Sequence, residues 1–143
     1  MTGVQTCALP ISAIGNWALR SNTTGVSGVA VGYKALTNNT TGTQNVSVGQ
    51  ESMYYNTGGY WNTAVGYTAA NSNTTGTVTA VGANALYSNT TGTANTAFGG
   101  YTGTGATEQG ALYANTTGAN NTAVGVAALK SNTTASKIGR AHV

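Results

Sequence analysis

Apolar residues along this chain fall into short runs divided by polar turns. One run reads Thr63-Ala64-Val65-Gly66 and the other Ala85-Leu86-Tyr87, with Asn-Thr-Thr-Gly stretches recurring between them. Each run is long enough only for a brief strand, so the pattern predicts two short strands per unit. Adjacent side chains of an extended segment point to opposite faces. The column Val31, Val48, Val65, Val81, Phe98 and Val124 therefore cannot share a side with Ala30, Ala64, Ala80, Ala97 and Ala123. The expectation is that the Val column fills the interior together with Leu19, Leu36, Met53, Leu86, Leu112 and Leu129, and that the Ala column faces outward.

The glycines ending the first run, Gly15, Gly32, Gly49, Gly66, Gly82, Gly99 and Gly125, are spaced by 17, 17, 17, 16, 17 and 26 residues. The 16 is a one-residue deletion before Thr79, and the 26 is one period plus a nine-residue insertion at about 100–108. A fixed period in this range marks a solenoid, in which each unit buries its apolar face only against its neighbours. The expected fold is all-β, a parallel β-solenoid of about seven 17-residue coils.

Seven residues after each marker, counting past the insertion, stand Asn22, Asn39, Asn56, Asn73, Asn89, Asn115 and Asn132, each followed by Thr. Asn side chains bond nearby backbone and tolerate left-handed geometry, and stacked corners align their amides into a ladder. These asparagines are therefore the structural turn of each coil. Many of them, such as Asn22-Thr23-Thr24 and Asn89-Thr90-Thr91, also create Asn-x-Thr triplets of the glycosylation type, but recurrence of the turn already accounts for them.

An outward rank of small alanines suits close packing by a second chain, so a symmetric oligomer is expected. Composition excludes other classes. Only 5% of residues are charged, against about 25% in ordinary globular domains. The net charge of +3 is spread over five basic residues without a cluster, so no nucleic-acid or anionic-membrane partner is expected. No apolar run approaches the ~18 residues of a membrane span.

Residues 1–11 and 138–143 share nothing with the repeats and resemble a translated sequencing adapter. The codons ATC GGA AGA GCA CAC GTC spell Ile138 to Val143, and their reverse complement spells Thr6, Cys7, Ala8, Leu9, Pro10 and most of Ile11. Both segments are expected to be non-native, leaving 12–137 as a repeat domain cut from a longer gene. That removes Cys7, Pro10 and His142, each the sole residue of its type, and with them any thiol or metal chemistry.

The pattern Asn-Thr-Ala-Val-Gly-Tyr-x-Ala-Leu-x-x-Asn-Thr-Thr-Gly, running from Ser12 to about Ala135, resembles the head repeats of YadA-like trimeric autotransporter adhesins. It is also similar to repeats in phage tail fibres. The resemblance implies a left-handed parallel β-roll, a homotrimer about a long axis, and attachment to a host surface glycan or protein. It implies an extracellular place, on a bacterial cell surface or a virion tail. The period exceeds the shorter repeat usual in adhesin heads, so tail fibre stands beside adhesin.

An enzyme is not expected. Residues 12–137 hold no His, Asp or Cys, and their two acids, Glu51 and Glu108, lie three to four coils apart, far beyond the ~5–10 Å that paired-carboxylate chemistry needs. No cofactor and no metal site is implied. Candidate surface contacts are aromatic: Tyr54, Tyr87 and Tyr113 share a column, and Tyr60 with Trp61 forms a pair where other coils carry Thr or Gln. Such rings suit sugar stacking or simply cover sheet surface. An alternative is an ice-binding β-solenoid using the ranked threonines, although these sit at a glycine corner rather than along a strand.

Overall fold

The computed structural model describes residues 11–101, 103 and 109–139. Among these the protein is all-β, with strands β1 (Ser12–Ile14), β2 (Val29–Val31), β3 (Val46–Val48), β4 (Thr63–Val65), β5 (Val78–Val81), β6 (Asn95–Phe98) and β7 (Thr122–Val124). They form one sheet in chain order, each strand parallel to the next. Register runs like on like: Val48 pairs with Val65, Val65 with Val81, and Val81 with Phe98. The insertion leaves it unchanged, since Ala97 pairs with Ala123. This is a parallel β-solenoid with one strand per coil.

The expected interior is half reversed. Ala30, Ala64, Ala80 and Ala97 are fully buried, whereas Val65, Phe98 and Val124 are 36%, 47% and 74% exposed. The cause lies on the facing wall, where Leu36, Met53, Leu86 and Leu112 are buried as expected. Buried asparagines of two further columns, such as Asn56 and Asn62, fill the flanks. In so narrow a coil the strand wall has room for a methyl group, so alanine points in and the β-branched residues point out.

Among the described residues the second expected strand is absent. Leu36, Met53, Leu86 and Leu112 take left-handed backbone, with φ of 50°, 48°, 52° and 52°. Two residues earlier, Lys34, Glu51 and Asn84 do the same at 58°, 54° and 60°. This wall stacks through bonds to the next coil, such as Leu36 N–H to Ser52 C=O at 3.1 Å and Leu86 N–H to Ala111 C=O at 2.9 Å. The turn between the walls requires glycine: at Gly32, φ is 132° and an added Cβ would lie 2.7 Å from the carbonyl carbon of Gly49.

Two residues placed by sequence in the end segments join the stack. Ile11 packs against the core. The Ile138 N–H donates to Asn121 Oδ1 at 3.0 Å, and its carbonyl accepts from Thr122 N–H at 2.9 Å. Both bonds use only the main chain of residue 138, which almost any residue type would supply. Cys7, Pro10 and His142 lie outside the described residues.

Candidate functional site

The corner asparagines form a continuous amide ladder. Asn39 Nδ2 donates to Asn22 Oδ1 at 2.9 Å and Asn56 to Asn39 at 2.8 Å. Asn73 donates to Asn56 at 3.4 Å, Asn89 to Asn73 at 2.8 Å, Asn115 to Asn89 at 2.9 Å, and Asn132 to Asn115 at 2.8 Å. The second amide hydrogen closes the turn, for example from Asn89 to Gly92 C=O at 3.0 Å. Both donors of a carboxamide are thus used inside the coil. From Asn39 to Asn115 these side chains are buried, which turns away from solvent the nitrogens of Asn39, Asn73, Asn89 and Asn115, the ones of this group that begin Asn-x-Thr triplets.

From Thr23 to Thr116 the following threonine uses its hydroxyl on the next coil: Thr23 Oγ1 donates to Thr40 C=O at 2.9 Å, Thr40 to Thr57 C=O at 3.1 Å, and Thr116 to Thr133 C=O at 3.1 Å. The corner is therefore a scaffold, and the free chemistry lies on the walls.

The wall between the glycine corner and the asparagine corner gathers aromatic rings around one ion pair. Trp17 stacks on Tyr33, with centroids 6.1 Å apart. Lys34 Nζ lies 5.3 Å from the Trp17 centroid, 5.0 Å from that of Tyr33 and 5.7 Å from that of Tyr54. It also lies 3.6 Å from Glu51 Oε1. A hydrogen bond with Tyr33 is the main cause that raises the Lys34 pKa above its ordinary value, against the lowering effect of desolvation. Lys34 and Glu51 occupy one column in successive coils, which is what brings them together.

Beside that pair an open cavity of about 240 Å³ is lined by Lys34, Glu51, Tyr54, Tyr55, Asn71 and Tyr87. Tyr54 and Tyr55 meet edge to face at 4.7 Å, and Tyr87 lies parallel to Tyr113 at 5.2 Å. Between them Asn71 interrupts the tyrosine column with a short side chain. Its amide is held by a 2.9 Å bond to Glu51 C=O. Burial, followed by the neighbouring Tyr113, raises the Tyr87 pKa.

Of the aromatic residues singled out from sequence, Tyr54 and Tyr87 line this groove and Tyr113 supports it. Tyr60 and Trp61 lie elsewhere, beyond the asparagine corner. They form an edge-to-face pair at 5.1 Å, 48% and 65% exposed, with Trp61 Nε1 donating to Gln44 Oε1. Sequence reading weighed Glu51 only against the distant Glu108 and passed over Trp17, Tyr33, Lys34, Tyr55 and Asn71. A 17-residue spacing of opposite charges and a gap in a tyrosine column were the available signals. Glu108 and most of the 100–108 insertion lie outside the described residues.

The outer face of the sheet is a second surface. Ile14, Val65, Phe98 and Val124 are 65%, 36%, 47% and 74% exposed and stand in one register column along the stack, with Val46, 36% exposed, on the same face two residues along its strand. Comparison with protein-family models, with curated proteins and with solved structures gives no match.

Proposed function

We propose that this chain is a structural attachment module of a homotrimeric surface fibre, a bacterial adhesin or a phage tail fibre, working outside the cell and without catalysis. The observation that carries the reading is the apolar outer face of the sheet. A β-branched and aromatic stripe running the length of a stack, with scarcely a charged side chain, is costly to leave in water, because such contiguous patches mark association surfaces. Three copies turned inward around an axis would cover it. The expected Ala face is replaced in this role by the Val face, and the argument is stronger for it, since larger apolar residues bury more area.

Stiffness follows from the continuous corner ladder, and it suits a spacer that holds contact residues away from an anchor. Sedimentation equilibrium tests the assembly: a mass three times the 14.2 kDa of the chain is expected, with Val65→Lys shifting it to monomer. A wild-type chain that remains monomeric at high concentration would refute the reading. Attachment is tested by adhesion of beads coated with the trimer to a panel of host cells.

Ice binding is less well supported. The corner hydroxyls of Thr23, Thr40, Thr57, Thr74, Thr90 and Thr116 already donate to carbonyls of the next coil. The second threonine of each corner forms a single file, broken at Gly58. Thermal hysteresis in the isolated repeats would restore that alternative.

A further inference from the structure

The geometry points to a specific ligand site within the attachment module: we infer that the groove lined by Lys34, Glu51, Tyr54, Tyr55, Asn71 and Tyr87 binds a neutral, hydroxyl-rich glycan. The inference rests on the attachment reading for its biological sense but not for its physics.

Its shape comes from one substitution in the repeat. In four successive coils the position five residues after the marker carries Tyr54, Asn71, Tyr87 and, past the insertion, Tyr113. Where two tyrosines occupy adjacent coils their rings stack, with centroids 5.2 Å apart and planes only 7° from parallel. Asn71 leaves out one ring of such a ladder. The notch is therefore about one ring deep, with tyrosine on both sides and a buried carboxamide as its floor. A sugar ring is the neutral hydrogen-bonding counterpart of a missing ring: its C–H faces carry slight positive charge and suit the negative face of an aromatic ring.

The polar groups narrow the choice. Lys34 and Glu51 are 3.6 Å apart, so the rim presents a donor and an acceptor side by side and carries no net charge. Adjacent hydroxyls of a sugar both accept and donate, and match that pair. An anionic ligand would meet the Glu51 carboxylate unfavourably, and a hydrophobic peptide anchor would leave the rim charges desolvated. The Asn71 amide, held at 2.9 Å by the Glu51 carbonyl, is oriented before any ligand arrives, which reduces the ordering cost of binding. The groove is on the wall after the glycine corner, so burying the outer face of the sheet leaves it open.

The test is a calorimetric titration of the full chain with neutral gluco-, galacto- and manno-oligosaccharides, with melting followed by circular dichroism. Saturable binding by at least one series is expected. Asn71→Tyr completes the tyrosine ladder and fills the notch, so it should weaken binding about tenfold or more while the melting temperature holds or rises. Tyr87→Ala should weaken it by a similar factor, and Trp61→Ala should leave it unchanged. Absence of saturable binding, binding that survives Asn71→Tyr, or binding lost with Trp61→Ala would each overturn the inference. Host-cell adhesion that persists in Asn71→Tyr without any sugar titration would sink the groove alone. A monomeric chain that adheres to nothing yet titrates sugar through Asn71 would sink the attachment reading alone.

Discussion

Which atoms face inward decides what each side chain is worth. Ala80 is fully buried, and its methyl fits a wall already faced by leucines, so Ala80→Val is expected to cost about 1–3 kcal/mol through overpacking. The double swap Ala80→Val with Val81→Ala keeps composition constant and should be no more stable than the single variant, because it still forces the larger group into the narrow interior. Urea denaturation of both variants checks this. Tyr87 offers a separate handle. Its pKa is raised above the ordinary tyrosine value, chiefly by burial, so the folded state favours the neutral phenol. The stability linked to that preference is intact below the unfolded tyrosine value of about 10 and is lost as pH rises through the higher folded value. Melting temperatures should therefore fall more steeply above pH ~10 in the wild type than in Tyr87→Phe, and the late part of the phenolate absorbance titration should vanish in that variant.

At the scale of the coil, the costly feature is left-handed backbone at residues other than glycine. Such geometry costs roughly 1–2 kcal/mol per residue and is worst for β-branched side chains. Thr68 adopts it at φ 49°, held by a bond from its hydroxyl to Asn84 Oδ1. Thr68→Asn keeps a polar partner for Asn84 and relieves the branched Cβ, so it should raise stability by about 1 kcal/mol, read from denaturant midpoints. These left-handed positions also explain what sequence could and could not convey. The 17-residue spacing of Ala-Val-Gly and Asn-Thr-Thr-Gly was enough to read the period, the corners and a parallel stack, because each depends on recurrence alone. Strand alternation separates Val from Ala but does not say which of them faces inward. That choice is made by the opposite wall, and an Ala-Leu pair reads equally well as strand or as left-handed turn. The groove was half legible for a similar reason. Tyr54 and Tyr87 stood out as a column, while Asn71 mattered for the ring it lacks, and the bond of its amide to the Glu51 carbonyl joins coils whose separation only the fold reveals.

For the whole molecule, stability is a sum of neighbour terms along one axis, and the asparagine ladder lets it be probed coil by coil. Asn73 sits mid-stack, giving hydrogen bonds to Gly76 and Asn56 and receiving one from Asn89. Replacing it with alanine removes three bonds and leaves Asn56 and Asn89 short of partners in a buried site, each such loss costing about 1–3 kcal/mol. Asn132, towards the other end of the ladder, gives bonds to Asn115 and Ala135 and is only part-buried, so water can replace what Asn132→Ala removes. The central substitution should therefore lower the melting temperature markedly more than the distal one. A linear stack adds a further consequence, because breaking it in the middle uncouples two halves that each keep their own neighbours. Hydrogen exchange in Asn73→Ala should then show amides near Thr74 and Thr90 losing protection most, with coils farther away opening as separate units. Uniform loss of protection along the chain would mean instead that the coils fold as one globular unit rather than by nearest-neighbour stacking.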